Sequence, residues 1–360
     1  MNIEKLDANF AAASTLGLEN LKYYDVRQKP FQLYGFYEPL TQPWFVRMDP
    51  EVAAKVTLGV SQLNENTAGG RVRFTTDSDY VAIRSVMRHF TNMPHMAMVG
   101  IRGFDIYEEL DGRSVYRGTY QPPIRPAADR TASFEGVVKF PDRRMRSFTV
   151  NFPLYHDVKD LYIGVRADAA LSEGKPYGRP GKILYYGSSI TQGGCASRPG
   201  TCYQNHIARR FDMDYHNLGF SGNAKGEDLM VEYLTKQDCT VFVLDYDHNA
   251  ETPEKLNATH WKLYEAMRKA HPDLPIIMVG RPDGWGDDVR YADSCKRREV
   301  ILATFTRAVA NGDKLVRFID GESLYAGLPR TECSVDGTHP NDLGFYGMAN
   351  VIGDEIARFL

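Results

Sequence analysis

The sequence has no CxxC pair and no HExxH, which speaks against a structural zinc site despite nine histidines and five cysteines. No window approaches 18 uninterrupted apolar residues, so no segment reads as a membrane-spanning helix. There is no excess of charge either. The formal net charge of −3 gives no reason to expect nucleic acid or an anionic membrane as partner. The opening residues, "MNIEKLDANFAAASTLGLEN", lack a basic stretch followed by an apolar core, so no secretory signal is read. The cytoplasm is the expected compartment, with periplasm or secretion the alternative if an export signal has been trimmed. An odd cysteine count leaves at least one thiol outside any internal pair. Cys195 and Cys202 are near enough to close a small loop, although two reduced thiols are the plainer reading. Nothing sets the oligomeric state.

What is present is enough chain for two domains. At 360 residues, with 43% hydrophobic and 25% charged residues, each half is able to bury a core. The first half reads in short strands rich in β-branched and aromatic residues, among them "GGRVRFTT", "YVAIRSVM", "GFDIYEEL", "RSVYRGTY", "ASFEGVVKF", "MRSFTVNF" and "DLYIGVRA". Turn residues separate them at near-regular spacing, which predicts an antiparallel β-sandwich or jelly roll over residues 1–175. "EGKPYGRPG", at 173–181, reads as a linker. Beyond it, "KILYYG", "DYHNLGF", "CTVFVLDY", "LPIIMVG" and "KLVRFID" alternate with helical segments near 201–211, 225–237, 253–271, 292–311 and 342–359. That alternation predicts a parallel sheet covered on both faces, a three-layer α/β/α (flavodoxin-like) domain over 180–360. Ligands of such sheets bind beyond the carboxyl ends of the strands.

Candidate residues lie at those ends. Ser188 and Ser189 follow the first strand, and "SGNA" with Gly222 follows the second. "DYDHNA" with Asp245, Asp247, His248 and Asn249 follows the third, while "VDGTHPND" with Asp336 and His339 follows the fifth. A serine needs a base within hydrogen-bond reach to act as a nucleophile. A serine, a histidine and an aspartate from separate loops of one sheet edge meet that need.

These blocks resemble those of the SGNH/GDSL hydrolase superfamily. Gly187-Ser188-Ser189-Ile190-Thr191 is similar to its first block, with Ser189 in the nucleophile's place, and Gly222 and Asn249 match the second and third. Asp336 and His339 reproduce the closing DxxH. The resemblance covers about 181–360 and, with the strand-rich first half, points to a bacterial subgroup carrying a sandwich domain ahead of the hydrolase. It implies a triad of Ser189, His339 and Asp336, and an oxyanion hole from the Ser189 and Gly222 N–H groups and the Asn249 amide. It implies no metal and no cofactor. Two departures stand out: Ser188 occupies a position where relatives carry aspartate, and the third block lacks the Gly-x-Asn-Asp form.

Plainer readings compete at several positions. Ser189 alone would be a turn serine, Gly222 a turn glycine, and Asn249 a cap for the helix starting near 253. His248 is a rival base without the DxxH spacing. Asp245, Asp247 and His248 make a poor metal site, because neighbours on a strand point to opposite faces. His206 falls within a predicted helix, as does the glycosylation-type sequence Asn257-Ala258-Thr259. Arg198 and Tyr203 after the nucleophile, and Arg281 and Trp285 after the fourth strand, are candidates to line a substrate pocket, though solvated or packing roles suit each as well. The reading is a serine esterase acting on small acyl esters, with the O-acetyl group of a carbohydrate as the expected substrate. The alternatives are a short-chain lipid esterase, thioesterase or lysophospholipase, or a non-catalytic glycan-binding protein on a degenerate hydrolase scaffold. The expected partner is a small-molecule or oligosaccharide ester, with neither nucleic acid nor membrane involved.

Overall fold

A computed structural model of the chain describes residues 14–125, 128–283 and 290–360. The first half runs β1 (Leu21–Asp25), β2 (Gln32–Tyr34), α1 (Pro50–Val56), α2 (Leu58–Asn64), β3 (Arg71–Thr76), β4 (Tyr80–Val86) and α3 (Met98–Arg102). It continues through β5 (Phe104–Leu110), β6 (Arg113–Tyr120), β7 (Phe134–Lys139), β8 (Arg146–Asn151), β9 (Asp160–Arg166) and β10 (Leu171–Glu173). The second half runs β11 (Arg179–Gly187), α4 (Ser189–Gln192), α5 (Tyr203–Phe211), β12 (Met213–Gly219), α6 (Asp228–Leu234), β13 (Val241–Asp245) and α7 (Pro253–Ala270). It closes with β14 (Ile276–Val279), α8 (Tyr291–Ala310), β15 (Val316–Ile319) and α9 (Asp342–Ala357).

Two antiparallel sheets form the first half. One has the order β1-β9-β4-β7, and the other β10-β3-β8-β5-β6 with β2 also on β3. Alternating inward residues such as Val72, Phe74, Ile83, Phe104, Phe148 and Ile163 have no exposed surface and fill the space between the sheets. The second half is a five-stranded parallel sheet of order β12-β11-β13-β14-β15. The order reverses beside β11, so the crevice at its carboxyl end is the switch point at which open α/β sheets bind ligands. Period-two alternation on β11 sends Ile183 and Tyr185 into one helix layer and Leu184 and Tyr186 into the other.

The stretch read as a linker is more ordered than its composition implies. Leu171–Glu173 pairs with β3, and Arg179 already pairs with Met213 of β12. The ladder slips between Arg179 and Lys182, where Pro180 has no N–H to give and Gly181 is left-handed at φ +80°. Residues 20–65 hold elements that the strand pattern did not announce. Asp49 caps α1 ahead of Pro50, Thr57 caps α2, and both helices lie on the hydrolase half. Met48, Ala53 and Val60 share one apolar cluster with Leu184, Leu218 and Met230. The two halves therefore have a common core.

Candidate active site

Strand register builds the site. Gly187 at the end of β11 pairs with Gly219 on one side and Asp245 on the other, so three strands stop level. Glycine is required there: a Cβ on Gly187 would lie 2.0 Å from the Asp245 carbonyl oxygen, and one on Gly219 would lie 2.3 Å from the Gln192 nitrogen. The chain then turns into α4, whose N-cap is Ser188. Its buried hydroxyl accepts from the Ile190 N–H at 3.2 Å, which leaves it turned into the protein. Ser189 is the first helical residue, so its N–H has no partner within the helix.

Ser189 Oγ lies 2.9 Å from His339 Nε2. His339 Nδ1 lies 2.7 Å from Asp336 Oδ2, and Asp336 Oδ1 accepts the backbone N–H groups of His339 and Thr338 at 2.8 and 3.0 Å. With Nδ1–H given to the carboxylate, Nε2 is left as the acceptor of the serine hydroxyl. Partial burial works against the Asp336 charge. The hydrogen bonds from His339 and Thr338 outweigh it and hold the carboxyl below its usual range.

The second-block loop is left-handed at Gly222, φ +69°, with open space where a Cβ would stand. Ser221 N–H donates to Gln192 Oε1 at 3.0 Å, fixing this loop to α4. Asn249, in a short 3-10 turn after β13, donates through Nδ2 to the Phe220 carbonyl at 2.8 Å. That is one of two amide hydrogens. It does not cap α7, because the Thr252 hydroxyl does so. Beside this loop a cleft of about 540 Å³ opens, its walls including Gln62, Glu65, His89, Tyr155, Ser221 and Asn223.

Sequence-read pocket candidates fall elsewhere. Arg198 points away into the first half, donating to Asp105 Oδ2 at 2.7 Å and to the Tyr107 hydroxyl at 2.6 Å. Tyr203 has no exposed surface: its ring packs on Tyr185 and Phe345, and its hydroxyl donates to Asp245 Oδ2 at 3.2 Å. Arg281 is consumed by ion pairs, two of its nitrogens lying 2.7 Å from the Asp283 carboxylate. Trp285 lies outside the described residues. His248 is buried between Asp283 at 2.8 Å and Asp247 at 3.4 Å. Burial disfavours its charge, but those carboxylates, Asp283 foremost, raise it to about 9. It is an ion-paired support. Asp245, under α4, is pushed up to about 7 by burial and by the neighbouring Asp247. Among the described residues all five cysteines are free.

Several supports had no signal in the motif spacing. The Tyr155 hydroxyl donates to the Ser189 carbonyl at 3.0 Å. The fully buried Arg47 donates to the carbonyls of Asn217 and Gly219 at 3.1 and 2.6 Å, just ahead of the Gly222 loop. Burial lowers its guanidinium to about 9. Thr338 Oγ1 donates to Asp283 Oδ2 at 3.1 Å, and Arg290 bridges Asp283 at 3.1 Å and the Gly337 carbonyl at 2.8 Å. The loop carrying Asp336 and His339 is thereby braced from "VGRPD".

Known proteins share this architecture. Residues 181–357 match the GDSL-like lipase/acylhydrolase family, and residues 21–171 match the N-terminus of SGNH hydrolase-type esterases. A candidate GDSL-like lipase from Bacteroides ovatus ATCC 8483 superimposes with a TM-score of 0.84 at 29% identity, over 94% of this chain and 98% of that one. The salicylyl-acyltransferase SsfX3 of a tetracycline biosynthetic pathway gives a TM-score of 0.76 at 17% identity, over 95% and 98%. A family two carbohydrate esterase from Cellvibrio japonicus gives 0.59 at 10% identity, over 94% and 98%. No curated protein sequence matches the chain. With their four blocks in order on a five-stranded sheet, residues 181–357 belong to the GDSL-like lipase/acylhydrolase family, preceded by the N-terminal unit of SGNH hydrolase-type esterases.

Proposed function

We propose that the protein is a serine esterase that removes small acyl groups, acetyl above all, from a carbohydrate hydroxyl. The observation that carries the reaction type is the unbroken line Asp336–His339–Ser189, with separations of 2.7 and 2.9 Å. His339 Nε2 takes the Ser189 proton as Oγ bonds to the acyl carbon. The oxyanion that develops is met by the Ser189 and Gly222 N–H groups and the remaining Asn249 amide hydrogen, each such donor being worth roughly 3 kcal/mol of barrier. The carbon–oxygen bond to the alcohol then breaks, and His339 returns the proton to the departing oxygen. Water repeats the sequence on the acyl-serine and frees the acid. Asp336 holds the ring tautomer and offsets the imidazolium charge.

The cleft beside Gly222 supports the carbohydrate reading. Gln62, Glu65, His89, Ser221 and Asn223 offer it donors and acceptors suited to a polyhydroxylated alcohol more than to an alkyl chain. Proteins of this fold include one named as an acetyl xylan esterase from Butyrivibrio proteoclasticus. A fluorophosphonate probe tests the nucleophile: wild type is labelled and Ser189→Ala is not. A hydrolysis screen tests the substrate, and preference for long-chain p-nitrophenyl esters over acetylated oligosaccharides would refute the sugar assignment.

A further inference from the structure

We propose that His95, Cys195 and His339 form a binding site for one zinc ion, and that its occupation stops hydrolysis. One ligand atom from each of the three lies within 4.8 Å of the other two. Zinc bonds nitrogen at about 2.0 Å and thiolate sulfur at about 2.3 Å in a tetrahedron, so its ligands sit roughly 3.3–3.8 Å apart and side-chain rotation of about 1 Å closes the set. The thiol proton leaves to solvent on ligation, and the fourth position stays open to water. A thiolate with two imidazoles selects zinc over magnesium or calcium.

The ligands come from three places that the fold locks together. His95 is exposed and belongs to the first half, Cys195 is buried on the loop after α4, and His339 closes the chain's last block. The His95 and His339 ring centroids are 5.7 Å apart, and Cys195 Sγ lies 3.4 Å from the His95 carbonyl oxygen. The backbone holds this contact: Met96 is buried, and a Cβ on Gly100 would stand 2.2 Å from the Ala196 carbonyl oxygen. His339 Nδ1 is committed to Asp336, so the nitrogen left for a metal is Nε2, which gives up its 2.9 Å hydrogen bond from Ser189 Oγ on ligation. That atom is the one that takes the Ser189 proton, and the inhibitory half of the proposal rests on this reading of His339.

The test uses the full chain stripped with chelator. Zinc is titrated in competition with a chromophoric chelator, alongside rates of p-nitrophenyl acetate hydrolysis. The expected result is one equivalent bound by wild type and by Ser189→Ala, with affinity at least tenfold weaker in His95→Ala and Cys195→Ser. The wild-type rate falls in step with occupancy, EDTA restores it, and magnesium leaves it unchanged. Failure to bind one equivalent, or equal binding by both ligand variants, overturns the site. Zinc binding that leaves the rate intact overturns the inhibition. If hydrolysis itself proves absent, ligand-dependent binding by Ser189→Ala still upholds the site.

Discussion

Arg198 reaches 2.7 Å from Asp105 Oδ2, a carboxylate with no exposed surface, and so bolts the loop that follows Ser189 and α4 to the β-sandwich. Asp105 also accepts from the Gly200 N–H at 2.8 Å and the Asn151 amide at 2.7 Å. Arg198→Ala removes the only cation paired with it among the described residues, and is expected to cost about 3 kcal/mol. Urea denaturation measures that loss, with KM for acetyl esters unchanged. A raised KM at full stability would return Arg198 to the substrate pocket.

The adjacent serines separate cleanly. Ser189→Ala is expected to abolish turnover and probe labelling, whereas Ser188→Ala keeps the enzyme active and loses about 1 kcal/mol with its N-cap. Initial rates and thermal melts on both variants distinguish them.

Thr338 touches no substrate in the proposed reaction, yet its hydroxyl joins the Asp336–His339 loop to Asp283. Thr338→Val is expected to lower kcat by roughly tenfold to a hundredfold with KM held, because small misplacements of a base are that costly. Steady-state kinetics on the variant provide the check. Unchanged kcat would show that Arg290 alone braces the loop.

Asp245 gives a pH signature in stability. Its folded value of about 7 lies above the roughly 3.9 of an unfolded aspartate, so the folded state holds a proton the unfolded chain releases. That contribution is full below about pH 4 and is lost as pH rises through about 7. Asp245→Asn removes the dependence. The Tm of the variant relative to wild type should therefore climb between about pH 4 and 7 and level off above. A constant difference across that range would place the carboxylate charged throughout.

Much of this was legible because period and punctuation agree. The five parallel strands and their helices stand out from residue 182 onward since β-branched runs alternate with a three-and-four pattern, and Ser189, Gly222, Asn249 and His339 all follow strand ends. The pocket lining was not legible. Whether Arg198 faces a substrate or Asp105 depends on a partner 93 residues earlier, which no local pattern encodes. Tyr203 looked available because aromatic residues at a helix start carry no mark of burial, and only the packing of Tyr185 and Phe345 hides it. Helices α1 and α2 escaped notice for a related reason. Each is seven residues long, too short to show periodicity, and is held by Asp49, Pro50 and Thr57 at its ends.

Those two short helices have a consequence for how the chain comes apart. Val60 and Ala53 sit among Leu184, Leu218 and Met230, and Gly59 lies so close to Asn223 that a Cβ would meet its side-chain oxygen at 2.0 Å. A fragment beginning at the parallel sheet would present that apolar surface to water and lose the floor beneath its second block. Sandwich and hydrolase are thus inseparable in calorimetry: one cooperative endotherm is to be expected, and a nick between them would inactivate rather than liberate an enzyme.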